Sequence, residues 1–184
     1  MDHLWSPWRS VHINKHAGHE ADNPDPVSVF TRLHEQKHDE ENLILWRGDS
    51  VFVIMNLYPY NNGHLMVVPY REVADYAALS VAEITELGLV LKRCIQVLKQ
   101  ALSPDGFNVG MNLGKAAGAG IPRHLHMHIV PRWDGDTNFM PTLAETKVIP
   151  EALRDSYKKI KTAWARLDLS DPDMLSKNLD GRIS

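Results

Sequence analysis

The sequence contains very little cysteine, since Cys94 is the single thiol in 184 residues. A lone cysteine excludes a disulfide or a thiolate metal cluster within one chain, which is typical of a reducing compartment and predicts a cytoplasmic protein. Cys94 lies within an apolar helical pattern, so we expect a buried small side chain and not a reactive thiol.

Long hydrophobic runs are also missing. No stretch approaches the ~20 apolar residues that a membrane-spanning helix needs. Residues 1–5 show no basic start followed by an apolar run, which is the pattern of a secretory signal. Neither membrane insertion nor secretion is predicted.

Charge of one sign is not in excess either. The chain has 20 basic and 23 acidic residues and a formal net charge of −3. This balance gives no electrostatic basis for binding nucleic acid or a membrane surface. Any recognition of phosphate must therefore depend on a local group of residues.

The apolar residues that are present follow two periodicities. Short apolar runs bounded by turn residues predict strands at 43–47, 51–56, 64–69, 107–113 and 125–131. A helical period predicts a short helix at about 27–36 and a C-terminal helical extension at 145–168. Strand pairs that precede and follow one long helix, without regular βαβ alternation, predict the α+β class with a mostly antiparallel sheet.

The long helix has the clearest local signals. Ser80 and Glu83 have the spacing of a capping box, which marks a helix start. The apolar positions that follow recur at three and four residues and predict one buried face, made of Ile84, Leu87, Leu91, Ile95, Leu98 and Leu102.

The length of the chain suits one domain, residues 1–184, with its core at about 40–140. Residues 14–27 are polar and interrupted by proline, which predicts a mobile loop. Residues 170–184 are expected to be a peripheral tail.

Three histidines stand at alternate positions in the run His124-Leu125-His126-Met127-His128. A strand turns successive side chains to opposite faces, so the histidines are expected in one row while Leu125 and Met127 enter the core. Neighbouring imidazoles in such a row lie roughly 6–7 Å apart, close enough to act on one phosphate or to hold one metal ion.

Two chemical interpretations of this row remain open from the residues alone. Neutral imidazole is a nucleophile near neutral pH and can attack phosphorus, while a neighbouring histidine handles the proton of the departing group. Alternating histidines also suit zinc, iron or copper, although no acidic residue lies within the row. A row buried for packing alone would leave three desolvated imidazoles in need of partners.

The loop before the row favours phosphate. Gly114, Gly118 and Gly120 allow backbone amides to approach an anion closely, and Lys115 and Arg123 are expected to supply positive charge at its rim.

The run His124-Leu125-His126-Met127-His128-Ile129-Val130 resembles the His-x-His-x-His-x-x signature of the histidine triad superfamily of nucleotide hydrolases and transferases. The resemblance extends through Asn56, 62–69, 112–123 and 131–133, and so covers roughly residues 40–140. It implies a histidine-triad-like fold, with an antiparallel sheet flanked by a long helix and a C-terminal helix, and a homodimer.

The resemblance also implies roles for the histidines. His126 matches the nucleophile that attacks the α-phosphate and becomes a nucleotidyl-histidine. His128 matches the residue that contacts the bridging oxygen and assists departure, and His124 the one that orients and polarises its neighbours. His64 corresponds to an additional histidine near the triad.

Substrate-binding positions follow in the same way. Asn56 resembles a residue that contacts the ribose, and Asn112 one that contacts the α-phosphate. The backbone amides expected to face phosphate are those of Gly118, Ala119 and Gly120. Trp133 is predicted either to stack on an adenine or to pack in an interface.

Residues 4–9 and the extension past 147–150 resemble the longer bacterial branch related to diadenosine polyphosphate phosphorylases and fragile-histidine-triad hydrolases. The expected reaction is cleavage of a dinucleoside polyphosphate at the α-phosphate, with water or phosphate as acceptor. The alternatives are hydrolysis of a nucleoside phosphoramidate, a nucleotide-binding sensor with little turnover, and a metal-dependent hydrolase. Histidine at the third triad position, where uridylyltransferases have glutamine, argues against a hexose-phosphate transferase.

Many bacterial members carry a Cys-x-x-Cys that helps to bind a structural zinc, and the corresponding stretch here reads Ser28-Val29-Phe30-Thr31. Hydroxyl groups are poor zinc ligands, so no metal site is predicted. No cofactor is expected to be required by the protein, and Mg²⁺ is expected only as a counter-ion of the substrate.

Overall fold

The computed structural model describes residues 27–136 and 151–168. Most of the loop predicted at 14–27, the segment 4–9 and the tail predicted at 170–184 lie outside the described residues. Within the described ranges, no helix combines the length and apolar character needed to cross a bilayer.

In the part of the chain that the structure describes, an antiparallel sheet of five strands forms the centre of the fold. Its strands are β1 Ile44–Arg47, β2 Val51–Met55, β3 Leu65–Pro69, β4 Gly106–Met111 and β5 Met127–Arg132. They lie in the order β1-β2-β3-β5-β4, so β5 is a central strand and β4 an edge strand. The prediction of an α+β fold with an antiparallel sheet is confirmed.

Within the described residues, three α-helices accompany the sheet: α1 Val29–Glu35, α2 Val81–Leu102 and α3 Leu153–Asp168. The predicted capping box starts α2, because the Ser80 hydroxyl accepts from the Glu83 N–H at 3.2 Å and the Glu83 carboxylate accepts from the Ser80 N–H at 2.7 Å. These bonds satisfy two backbone donors that a helix N-terminus otherwise leaves open.

The predicted buried face of α2 is wrong in part. Ile84 is 37% exposed, and Leu91, Ile95 and Leu102 are only partly buried at the margin of the core. The apolar residues that are fully covered are Leu87, Val90, Cys94, Val97 and Leu98. The helix is rotated so that this stripe meets the sheet, and the periodicity alone does not show which part of a broad apolar stripe will do so. Cys94 is buried as predicted, and burial raises the pKa of its thiol.

Apolar side chains cover both faces of the sheet. One face packs against α2 and α3, with Val53, Val67 and Ile129 in the main core. The other face packs against Phe30 of α1, with Phe52, Ile54, Met66 and Val68 among its buried residues. Because β2 and β3 are buried on both faces, they read in the sequence as continuous apolar runs instead of alternating ones.

Gly63 closes the turn between β2 and β3. Its φ is +70°, a conformation that favours glycine. A Cβ at this position would also collide with Leu102 of α2. The turn therefore packs closely on α2 and fixes the start of β3, where His64 lies.

Candidate active site

The histidine row lies at the beginning of β5, with a correction to the predicted strand. The strand begins at Met127, so only His128 lies within it, whereas His124 and His126 precede it. The Leu125 N–H donates to Val73 O at 2.7 Å, which attaches this segment to a loop outside the sheet. The predicted alternation still holds, because Leu125 and Ile129 are in the main core.

The backbone of His124 holds the side chain of His126. Its Nδ1 lies 2.8 Å from the carbonyl oxygen of His124, and a carbonyl can only accept, so Nδ1 carries the hydrogen. Neutral imidazole has one N–H and one lone pair, which leaves the lone pair on Nε2. This is the form that a nucleophilic histidine requires.

His124 lies deepest of the three. Its side chain is fully buried, and its Nε2 donates to Pro69 O at 2.8 Å. This bond fixes the His124 ring at the end of β3. His124 thereby also positions its own backbone carbonyl, which accepts from His126 Nδ1. This arrangement agrees with an orienting role.

His128 is joined to His64. His64 Nε2 and His128 Nδ1 are 2.9 Å apart, and the rings of His128 and His126 have their centroids 4.8 Å apart in an edge-to-face arrangement. His128 Nε2 is buried without a hydrogen-bond partner among the described residues. A buried polar atom of this kind points to a group that arrives with the substrate.

Burial keeps the three histidines of the row uncharged at neutral pH. Desolvation lowers the pKa of His124 and of His126. Desolvation, with a smaller contribution from His126, lowers the pKa of His128 to about 4. The row therefore offers a neutral nucleophile and neutral hydrogen-bond donors.

Two aromatic residues enclose the row. Phe30 of α1 contacts the rings of His124 and His126, with centroid distances of 5.4 and 5.2 Å. Tyr60 lies over His64 and His128 at 4.8 and 5.6 Å. Neither ring is predicted in the site from the sequence. Phe30 gives no local signal for it, whereas Tyr60 lies only four residues before His64.

Glu72 connects the start of α1, which carries Phe30, to the loop before the histidine row. Its carboxylate accepts from the Ser28 N–H at 3.0 Å and lies 2.6 Å from Arg123 Nε. Ser28 also caps α1, since its hydroxyl accepts from the Phe30 N–H. Arg123 was expected to offer its charge to a phosphate, and the structure instead pairs it with Glu72.

The predicted phosphate-binding loop lies directly before the row. Asn112 donates to Gly118 O at 3.3 Å, and the N–H groups of Gly118 and Ala119 donate to Lys115 O and Gly114 O within the loop. These amides hold the shape of the loop, so their contact with phosphate, together with that of Gly120, stays a prediction.

Two further predicted substrate residues lie in different surroundings. Asn56 is beside the row, because its Nδ2 is 3.4 Å from His64 Nδ1. Trp133 follows the far end of β5, five residues and roughly 16 Å along the strand from His128. Any contact of Trp133 with substrate must therefore involve a part of the ligand distant from the α-phosphate, and both roles stay predictions.

The metal interpretation has little support in the geometry. Within the described ranges, no group of three or more His, Cys, Asp or Glu side chains is arranged to hold a metal ion. Ser28, where a zinc-binding relative would have cysteine, uses its hydroxyl as a helix cap. These residues do not fit a structural zinc.

The chain is similar to known proteins over most of its length. It is 44% identical over 168 residues, which are 90% of this chain and 86% of the other, to a Mycobacterium tuberculosis protein named AP-4-A phosphorylase. It is 30% identical over 105 residues, 57% of each chain, to the asymmetrical bis(5'-nucleosyl)-tetraphosphatase of Schizosaccharomyces pombe.

A solved structure shares the fold. The Zn-bound histidine triad family protein from Mycobacterium smegmatis superimposes with a TM-score of 0.64 at 23% identity, over 78% of this chain and 96% of that one. The HIT domain family matches residues 37–135, which include the sheet, α2 and all four histidines of the site. The chain therefore belongs to the HIT domain family.

Proposed function

We propose that this protein cleaves dinucleoside polyphosphates at the α-phosphate through a nucleotide bound covalently to His126. The observation that carries the proposal is the hydrogen bond from His126 Nδ1 to His124 O, which leaves the Nε2 lone pair available. The relative named AP-4-A phosphorylase, at 44% identity over 90% of this chain, supports the substrate class.

The reaction divides one displacement into two. His126 Nε2 attacks the α-phosphorus, and a nucleoside polyphosphate departs beside His128. An acceptor then attacks the nucleotidyl-histidine and restores the free imidazole. The acceptor is inorganic phosphate or water, and the name of the mycobacterial relative supports phosphate.

The test is turnover of diadenosine tetraphosphate with and without phosphate, with AMP, ADP and ATP identified among the products. His126→Ala is expected to reduce turnover by about 10⁴-fold or more, because loss of a nucleophile removes the covalent route. His38→Ala, which removes an exposed histidine, is the control. Near-normal turnover by His126→Ala would refute the nucleophile, and no cleavage by the wild-type protein would refute the function.

We further propose that two copies pair through β4. This strand is at the edge of the sheet, and its side chain Val109 is 44% exposed, which leaves an apolar edge open for another strand. Val109→Lys is expected to convert a dimer to a monomer in light scattering coupled to gel filtration. A wild-type monomer at micromolar concentration would contradict this assembly.

A further inference from the structure

An exposed aromatic ring lies beside His128, where the polyphosphate is proposed to depart. The ring of Tyr60 lies over His64 and His128, with centroid distances of 4.8 and 5.6 Å and interplanar angles of 39° and 31°. The rings are closer to parallel than to perpendicular, so the two imidazoles occupy one face of Tyr60. Tyr60 is nonetheless 43% exposed, which leaves the opposite face of its ring open to solvent.

Hydrogen bonds on both sides of this ring hold it in place. The Tyr60 N–H donates to His64 Nδ1 at 3.0 Å. The next residue, Asn61, is buried, and its Nδ2 donates to Pro131 O at 3.1 Å and to Asp136 Oδ2 at 2.8 Å. A ring that is already held in this way loses little freedom when a ligand packs on it, which favours binding.

The turn that carries Tyr60 offers apolar and amide surface without charge. Residues 57–63 include no acidic or basic side chain. Leu57 and Tyr58 are 60% and 56% exposed, so three large apolar side chains are open to solvent within four positions, as is typical of an interaction surface. A turn without a cation suits a flat, uncharged group such as a nucleobase better than it suits a phosphate.

The open face of Tyr60 lies on the departure side of the nucleophile. The ring centroids of His126 and His128 are 4.8 Å apart, and those of His128 and Tyr60 are 5.6 Å apart, so Tyr60 lies at most about 10 Å from His126. A base stacked on the open face would lie roughly 4.5–7 Å beyond Tyr60. This position is remote from the α-phosphate and suits a group at the far end of the phosphate chain.

From these observations we infer that Tyr60 is a stacking platform for the base of the second nucleoside, which departs with the polyphosphate. The inference rests on the proposed function and deepens it, because it assigns a place to the half of the substrate that does not become attached to His126. The two halves of a symmetrical dinucleotide are thus bound by different surfaces.

The length of the phosphate chain decides whether this contact forms. A short link keeps the second base close to the histidines, whereas a longer link allows the base to pass His128 and reach the open face of Tyr60. Tyr60 therefore favours longer dinucleoside polyphosphates over shorter ones. This preference arises from the reach of the chain and needs no charged residue in the turn.

The first experiment compares two substrates that share the reacting half. Diadenosine tetraphosphate and adenosine 5'-tetraphosphate have the same first adenosine and the same number of phosphates, but only the former has a second nucleoside. The ratio of their kcat/KM values is measured in the wild type and in Tyr60→Ala. We expect the ratio to fall by about 10-fold in Tyr60→Ala, since base–aromatic stacking commonly contributes this much.

The ratio separates stacking from damage to the site. Loss of the ring that covers His64 and His128 would slow both substrates equally and leave the ratio unchanged. Tyr76→Ala, which removes another tyrosine that is 37% exposed, is the matched control and is expected to keep the ratio. Tyr60→Phe retains the ring and should also keep it, and a 10-fold fall in Tyr60→Phe would assign the contact to the hydroxyl group and contradict stacking.

Two outcomes would overturn the inference and leave the proposed function intact. An unchanged ratio in Tyr60→Ala, with diadenosine tetraphosphate still cleaved, would place Tyr60 with the half that both compounds share. Conversion of a wild-type dimer to a monomer by Tyr60→Ala in light scattering would assign the exposed turn to the pairing of chains. Failure of the wild type to cleave either compound would instead refute the proposed function, and the inference with it.

Binding to an inactive protein tests the contact without turnover. The Kd values of diadenosine diphosphate, triphosphate and tetraphosphate are measured by calorimetry for His126→Ala and for the double variant that also carries Tyr60→Ala. We expect the added change to weaken binding of the tetraphosphate by about 10-fold and binding of the diphosphate by much less. An equal loss at all three lengths would contradict a platform that only a long chain reaches.

Discussion

Replacement of His128 by asparagine is expected to remove a large part of the acid sensitivity of the fold. The side-chain oxygen of Asn takes the place of His128 Nδ1 and can still accept from His64 Nε2, so the variant keeps the hydrogen bond and loses the titration. Burial lowers the pKa of His128 from 6.5 to about 4. The folded protein therefore resists protonation here, whereas the unfolded chain does not.

The sign of the effect follows from this difference. Between pH 6.5 and 4 the unfolded chain binds the proton and the native state does not, so stability is full above pH 6.5 and falls as the pH decreases. With these two pKa values, the loss between pH 7.5 and pH 5.0 is about 2 kcal/mol. His124 and His126, whose pKa values are also lowered, add to the total slope.

The assay is urea unfolding of wild type and His128→Asn at pH 7.5 and 5.0. The free energy of unfolding should fall by about 2 kcal/mol less in the variant than in the wild type over this interval. The comparison uses the change with pH, so any loss of packing in the variant cancels. His38→Asn removes an exposed imidazole as a control, and equal slopes for wild type and His128→Asn would refute a buried, neutral His128.

Two further variants test the contacts that Phe30 and Glu72 make around the histidine row. Phe30→Ala should reduce the free energy of unfolding by about 3 kcal/mol, because Phe30 is 3% exposed and its removal leaves a cavity beside His126. Urea unfolding measures this loss. A loss below about 1 kcal/mol would show that α1 does not pack as described. Glu72→Gln keeps an acceptor for the Ser28 N–H but removes the ion pair with Arg123, which is partly exposed. The loss should be at most about 1 kcal/mol and should shrink in 1 M salt, and a loss that is independent of salt would exclude a charge effect.

Local signals were sufficient for the elements and for the position of the row. Ser80 and Glu83 marked the start of α2 because a capping box is made by residues three apart. Leu125 and Ile129 are in the core because alternation in extended backbone is set by the chain itself. His64 was identified through its resemblance to a family position, and the structure joins it to His128.

What the sequence did not predict depends on contacts between distant segments. The rotation of α2 that exposes Ile84 depends on where the sheet lies against the helix. Phe30 reaches His126 across more than ninety positions of sequence, and the pairing of Arg123 with Glu72 depends on how two loops meet. The hydrogen bonds of Asn56 depend on the fold of its turn, so the residue type alone could not distinguish a contact with ribose from one with His64.

The two ends of the histidine row differ in what a point mutation can remove. The groups that hold His124 and His126 are main-chain carbonyls, which every residue supplies, so no substitution at Pro69 or His124 deletes the oxygen itself. His128 Nδ1 is instead bound by a side chain, because His64 Nε2 lies 2.9 Å from it. A point mutation at position 64 can therefore delete the partner of His128, whereas the partners of His124 and His126 persist whatever side chain stands at positions 69 and 124.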